Sequence, residues 1–191
     1  MRGDPQAARP GPHPLSAPLP VRTVLRGDHT TVQVREIAAG DDDALRAFHL
    51  RLSPESVMLR FFTPHPSLSD AEVERFTHVD GVDRFALVAE QASEIVAVAR
   101  YDRAPGSDEA EVAFVVDDAH QGQGLGTILL QHLADAARCH GIRWLIADTL
   151  SENFRMLHVF RDGGFPHTFT RDSEVMRVVM DISTPPEPRH G

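Results

Sequence analysis

The spacing of apolar side chains changes several times along the chain, and each period predicts a type of element. Residues 31–37 alternate between polar and apolar side chains, which is typical of a strand with one buried face. Leu45, Phe48 and Leu52 then recur at helical spacing, and residues 122–140 carry a longer stripe of the same period. Apolar, β-rich stretches predict further strands at residues 83–90, 94–101, 109–116, 143–149, 165–171 and 175–181.

Local signals mark the remaining helices. Ser-Pro-Glu at residues 53–55 places a serine N-cap before a proline suited to the first helical position. Residues 69–72 form a capping box that predicts a short helix to about residue 78, and residues 153–162 predict another, ended by two glycines. The alternation predicts an α/β (α+β) fold, with a mixed sheet of six to seven strands and helices on both faces.

The two ends of the chain differ from its middle. Residues 1–30 hold six of the 14 prolines, and their apolar residues are isolated, so they bury too little surface to offset the entropy of ordering. We predict disordered segments at residues 1–30 and 183–191 and one globular domain at residues 31–182. Neither a secretory leader nor an apolar stretch approaching the ~18 residues of a membrane span is visible in the sequence.

Charge and cysteine content narrow the function classes. The 191 residues carry 28 acidic and 19 basic side chains, giving a net charge of −9. This balance argues against nucleic-acid and membrane partners, both of which favour a basic face. All the basic residues are arginine, so the chain contains no lysine. The single cysteine, Cys139, excludes an internal disulfide and a cysteine-rich zinc site, and we expect a metal-free protein of the reducing cytoplasm.

The stretch from Gln121 to Thr127 is the strongest chemical signal. Gly122, Gly124 and Gly126 alternate between a predicted strand and the start of the longest predicted helix. Glycines permit a tight turn with exposed N–H groups, and a helix N-terminus adds orphan donors and partial positive charge. Together these features suit a diphosphate, although a helix start with packing glycines would explain a bare Gly-x-Gly equally well.

Two familiar phosphate motifs fit poorly. A P-loop needs a lysine, which this chain lacks. A dinucleotide-binding fingerprint is closer, because Asp148 follows the glycines at roughly the ~20-residue spacing of a ribose-binding acid. However, Thr127 occupies the third glycine position, and too few elements follow Asp148 to complete that fold.

The chain resembles the GNAT superfamily of N-acetyltransferases over residues 31–182. Gln121, Gly124 and Gly126 match its Gln/Arg-x-x-Gly-x-Gly/Ala motif, and Asn153 with Gly164-Phe165 matches its later Asn…Gly-Phe block. The resemblance implies acetyl-CoA as co-substrate. It implies a cofactor site formed by Phe114, Val115, Val116, Gln121, Gly122, Gln123, Gly124, Leu125, Gly126, Thr127, Asn153, Met156 and Phe160.

A narrower resemblance concerns the acceptor. Residues 51–62 and 68–80 are similar to the bacterial protein lysine acetyltransferases of the Pat type. That likeness implies transfer to a lysine of a metabolic enzyme such as an acyl-CoA synthetase, and no fused regulatory domain is visible in this chain. A small-amine acceptor and a non-catalytic acetyl-CoA-sensing module remain alternatives.

Amide formation needs a neutral amine, whereas a free lysine is neutral in only about one molecule in 10³ to 10⁴ at pH 7. Glu111 is the predicted general base, because the resemblance assigns that role to a glutamate on this strand. Alternation places Glu109, Glu111 and Ala113 on one face. We expect Glu111 to be buried near the middle of the sheet, since burial disfavours the charged form and suits a base. Glu109 is the fallback.

Many members of the family use a tyrosine to protonate the departing thiolate. The corresponding position here is Phe160, and the sole tyrosine, Tyr101, lies on another predicted strand. We therefore predict no tyrosine acid. We expect a strand N–H near Phe114 or Val115 to polarise the thioester oxygen instead.

Overall fold

Eight strands form one mixed sheet in the computed structural model, which describes residues 31–186 and the backbone of residues 22–25. The strands are β1 (Arg22–Leu25), β2 (Thr31–Glu36), β3 (Arg84–Gln91), β4 (Glu94–Asp102), β5 (Glu109–Val116), β6 (Trp144–Leu150), β7 (His167–Asp172) and β8 (Val175–Asp181). Their order is β1-β2-β3-β4-β5-β6-β8-β7. Among the strands that the structure describes, only β5 and β6 pair in parallel. The predicted fold class is confirmed.

The predicted helices are present. They are α1 (Asp42–Arg51), α2 (Pro54–Phe61), α3 (Asp70–Thr77), α4 (Leu125–Cys139) and α5 (Phe154–Asp162). Ser53 caps α2 by accepting a hydrogen bond from the Ser56 N–H, and Ser69 and Glu72 close the predicted capping box of α3. Local signals therefore placed these helix starts correctly, because each cap satisfies backbone donors within its own first turn.

Helices cover both faces of the sheet, as predicted. On one face, α1, α2 and α3 pack on residues of β3 and β4 such as Val88 and Val98. On the other, Leu129 and Leu133 of α4 and Phe160 of α5 join the larger core. No helix among the described residues is long and apolar enough to cross a bilayer.

The N-terminal prediction needs a correction. Residues 22–25, predicted to be disordered, form β1 and pair antiparallel with β2, so the sheet has one strand more than the upper prediction. Backbone pairing with an otherwise open sheet edge orders this segment, and such pairing needs little apolar burial. Residues 182–186 form neither helix nor strand. The remaining predictions for residues 1–21, 26–30 and 187–191 lie outside the described residues.

Candidate active site

The parallel pairing between β5 and β6 ends early and leaves an opening in the sheet. Residues Glu109–Glu111 pair with Trp144–Ile146, and beyond them the two strands separate. The Asp117 N–H donates to the Val96 carbonyl at 2.9 Å on the β4 side. Because backbone groups alternate along a strand, the N–H and C=O of Phe114 and Val116 then face the opening. Of the two predicted polarising donors, Phe114 rather than Val115 has this orientation.

A cavity of 460 Å³ lies at this opening. It is bounded by the end of β5, the N-terminus of α4, the first turns of α5, and α2. The structure brings together these predicted cofactor residues along its wall: Phe114, Val115, Val116, Gln121, Gly122, Gly124, Leu125, Gly126, Thr127, Asn153 and Met156.

The glycine loop forms a cradle at the start of α4. Gly122 and Gly124 have φ of 72° and 80°, a conformation that side chains rarely tolerate. These positive angles explain why α4 begins at Leu125 rather than near residue 122. The first N–H groups of α4 have no partner within the helix, and the first turn contains no acidic residue. Such a terminus suits the diphosphate of CoA.

Gly126 serves a different purpose. A Cβ atom there would lie 2.9 Å from Cγ2 of Val159, so this glycine permits α4 and α5 to approach closely. Asn153 caps α5, and its Oδ1 accepts a hydrogen bond from the Met156 N–H at 3.1 Å. The amide N–H groups of Asn153 make no hydrogen bond to a described residue and are left for a ligand.

A polar network ties the cradle to α2. Gln121 donates from Nε2 to Oγ of Ser56 at 3.0 Å and accepts a hydrogen bond from Arg155. Asp118 accepts from Oγ of Ser56 at 2.8 Å, and from N and Oγ of Ser53 at 2.9 and 2.7 Å. Partial burial opposes ionisation of Asp118, but these hydrogen bonds outweigh it and hold its pKa below the ordinary range. The Gln121 side chain thus fastens the loop to α2.

Sequence reasoning missed part of the cavity wall. The additional lining residues are Ser56, Leu59, Arg60, His120, Phe154, Arg155, His158, Val159 and Asp162. The Arg155 position, two residues after Asn153, could have indicated a cation at this site. No local signal indicates the α2 residues, because they reach the cavity only through tertiary packing.

Two predicted cofactor residues lie outside the cavity. Phe160 is 1% exposed and packs edge-on against Phe114, with ring centroids 6.0 Å apart. Its side chain points into the core because the apolar face of α5 must be buried there. Gln123 donates from Nε2 to the Ala119 carbonyl at 3.2 Å, so its side chain turns back toward the preceding turn.

Glu111 is exposed, so the expected burial of the predicted base is wrong. The helical layer packs on Val98 and beside Val115, and α2 also contacts β5 and β6, but this layer leaves the Glu111 side chain exposed. Glu111 does not line the cavity and precedes Phe114 by three residues, or ~10 Å along the strand. No described residue makes a hydrogen bond or ion pair with its carboxylate. Glu109 is also exposed.

Tyr101 lies far from the cradle. Its buried hydroxyl is 3.1 Å from the Val82 carbonyl oxygen and 2.6 Å from Nδ1 of His140, just after the C-terminus of α4. That end is ~22 Å from the start of this 15-residue helix. That no tyrosine acts as the acid stays a prediction.

Comparison with known proteins assigns the family. Residues 53–165 match the profile of the Acetyltransferase (GNAT) family. The chain belongs to the GNAT family. The predicted enzyme class, an N-acetyltransferase, is thereby confirmed, and the matched residues include β5, the glycine cradle and α5.

The relatives include proteins of the Pat type. The crystal structure of the GNAT domain of Streptomyces lividans Pat superposes with a TM-score of 0.80 at 41% identity, covering 84% of this chain and 96% of that domain. Pseudomonas aeruginosa acetyltransferase PA5475 is 29% identical over 69% of this chain and 77% of its own length. Mycolicibacterium smegmatis acetyltransferase Pat is 30% identical over 64% of this chain but only 38% of its own length.

Proposed function

We propose that this acetyltransferase transfers acetyl from acetyl-CoA to a lysine side chain of a cytoplasmic protein, with acyl-CoA synthetase-like enzymes as the first acceptors to test. The observation that carries the proposal is the 41% identity with a Pat GNAT domain over 84% of the chain.

The cavity residues fit acetyl-CoA. Free N–H groups at the start of α4 would hold the diphosphate, and the open space around the Cβ positions of Gly122 and Gly124 leaves the backbone accessible. Arg155 at the rim would add positive charge, since no lysine is available. The Phe114 N–H, on the open edge of β5, would donate to the acyl oxygen. When bound, acetyl-CoA supplies the acetyl group in an activated thioester.

Glu111 is the proposed base. Its carboxylate is exposed and has no hydrogen-bond or ion-pair partner among the described residues, so it can receive an ammonium from solvent. Glu111 would take one proton from this ammonium, directly or through a water, and the neutral nitrogen would form a bond to the acetyl carbon. As the carbon–sulfur bond breaks, the nitrogen would lose its second proton to give the amide, and the departing thiolate would acquire a proton to become the thiol. The products are therefore the amide, the CoA thiol and one proton on Glu111.

Labelled acetyl-CoA tests the proposal. The wild-type protein and E111Q would be incubated with an acyl-CoA synthetase or with a panel of small amines, and E109Q would serve as the matched control. We expect E111Q to lose turnover and keep acetyl-CoA affinity, whereas E109Q retains both. Because the chain contains no lysine, acetyl-lysine formed in the assay belongs to the acceptor.

Each outcome has a distinct meaning. Label on small amines alone would contradict the protein-acetylating proposal. Acetyl-CoA binding without transfer to any acceptor would favour a sensing module. Full activity of E111Q would remove Glu111 from the mechanism while leaving the acceptor class in place.

A further inference from the structure

Arg60 of α2 lies at the junction of two cavities. It lines the 460 Å³ cavity and also a smaller cleft between the sheet and helices α1 to α3. Its side chain is partly buried, and its guanidinium carbon is 4.9 Å from the centre of the Phe61 ring. Among residues 31–186, no carboxylate lies within the 4.0 Å ion-pair distance of Arg60. It is a cation at the site without a paired anion.

The neighbouring arginines already have carboxylate partners. Arg177 of β8 binds Asp148 through two hydrogen bonds of 2.8 and 2.6 Å. Arg100 of β4 is buried and donates from Nε to Asp102 at 3.1 Å. Arg60 therefore differs from Arg177 and Arg100 in having no carboxylate within ion-pair distance.

The charges around Arg60 indicate that it lacks a compensating anion. Burial and the nearby charge of Arg100 lower its pKa to about 10, while Glu111 and Asp102 oppose that shift. Arg60 lines the same cleft as Ala113, which lies two residues after Glu111 on the same face of β5, so the guanidinium and the Glu111 carboxylate are close without forming an ion pair. Docking an ammonium at Glu111 neutralises one of the two opposing anions, which leaves Arg60 poorly compensated.

We propose that Arg60 binds a carboxylate of the acceptor, so that the enzyme selects amines that carry an acid group beside the reacting nitrogen. Glu111 receives the ammonium while the planar guanidinium of Arg60 takes the carboxylate through paired hydrogen bonds. This inference rests on the proposed function, under which the acid is an aspartate or glutamate next to the target lysine.

The test compares matched acceptors. One pair consists of lysine peptides with glutamate or glutamine beside the lysine, and the other of a free amino acid and its carboxamide. The enzymes are wild type, R60M and the control R161M, which removes the same charge from an exposed position on α5 outside the cavity. Acetyl-CoA affinity is measured for each variant to establish that the cofactor site is intact.

We expect wild type and R161M to prefer the glutamate peptide by about tenfold in kcat/KM, as for one charge-assisted hydrogen bond. In R60M the preference disappears, because kcat/KM for the glutamate peptide falls to the value for the glutamine peptide. A preference confined to the free amino acid, lost in R60M, would support the carboxylate subsite and contradict the protein-lysine function.

Several results would overturn the inference. Equal rates within both pairs for wild type would show that no acceptor carboxylate is recognised. Equal losses for both peptides in R60M, with weaker acetyl-CoA binding, would place Arg60 in the cofactor site. A preference for succinyl-CoA over acetyl-CoA that vanishes in R60M would place the carboxylate on the donor. Binding of acetyl-CoA without transfer to any acceptor would overturn both proposals.

Discussion

Replacement of Asp118 by alanine tests whether the link between α2 and the glycine cradle stabilises the enzyme. Asp118 accepts hydrogen bonds from the Ser53 N–H, the Ser53 hydroxyl and the Ser56 hydroxyl. Ser56 in turn accepts from Gln121 of the cradle loop. D118A should therefore destabilise the fold and disturb acetyl-CoA binding together.

The magnitude follows from three lost hydrogen bonds. A bond to a charged acceptor contributes about 1.5–3 kcal/mol when well shielded, and solvent screening at the exposed Asp118 reduces each to roughly 0.5–1 kcal/mol. The sum is about 2 kcal/mol, which corresponds to a fall in Tm of about 4–8 °C for a domain of this size. KM for acetyl-CoA should rise more than kcat falls, because Asp118 supports the cradle and does not touch the reacting atoms.

Thermal unfolding with and without acetyl-CoA, combined with steady-state kinetics, measures both effects. E74A, at an exposed position on α3, is the control for loss of one negative charge. Because folding lowers the pKa of Asp118, its contribution is present above the ordinary aspartate value of about 4 and is lost as pH falls through the depressed pKa. A D118A protein with unchanged Tm and KM at neutral pH would refute this account of the network.

Two further predictions concern conformation and burial. G124A should lower the free energy of unfolding by about 1–2 kcal/mol in denaturant titrations, because its φ of 80° strains an alanine. G40A, which like G124A introduces a Cβ into open space, should change stability little, and equal effects of the two variants would contradict the argument. Burial raises the pKa of Tyr101, so the ultraviolet signal of this sole tyrosine should resist titration above pH ~10 until the protein unfolds. The buried, neutral hydroxyl of Tyr101 contributes to the free energy of unfolding below pH ~10, and this contribution declines as pH rises toward the raised pKa. A transition near pH 10 in the folded protein would show instead that the hydroxyl is exposed.

Local sequence signals predicted the elements closely. The serine caps at Ser53 and Ser69 and the alternation in β5 depend on neighbours within a few residues, so they can be recognised without the fold. The edge strand β1 could not be recognised in this way, because its order depends on pairing with β2 rather than on its own apolar content.

The same distinction between local and long-range causes applies to the candidate site. The positive φ angles of Gly122 and Gly124 and the orphan donors of α4 are properties of one short stretch, so the conformation of this loop was predictable from residue types. The exposure of Glu111 was not, because it depends on how far the α1–α3 layer extends across the sheet.

Sequence alone determined the order of the elements from β2 onward, the glycine loop and the family, since these depend on local backbone chemistry and motif spacing. Tertiary structure alone decided which side chains surround the acceptor. Arg60 and Glu111 are about fifty residues apart in the chain, and only the packing of α2 against β5 brings their charges within reach of each other. Such long-range juxtaposition has no sequence period, because it results from burial of apolar faces far from the charged groups themselves.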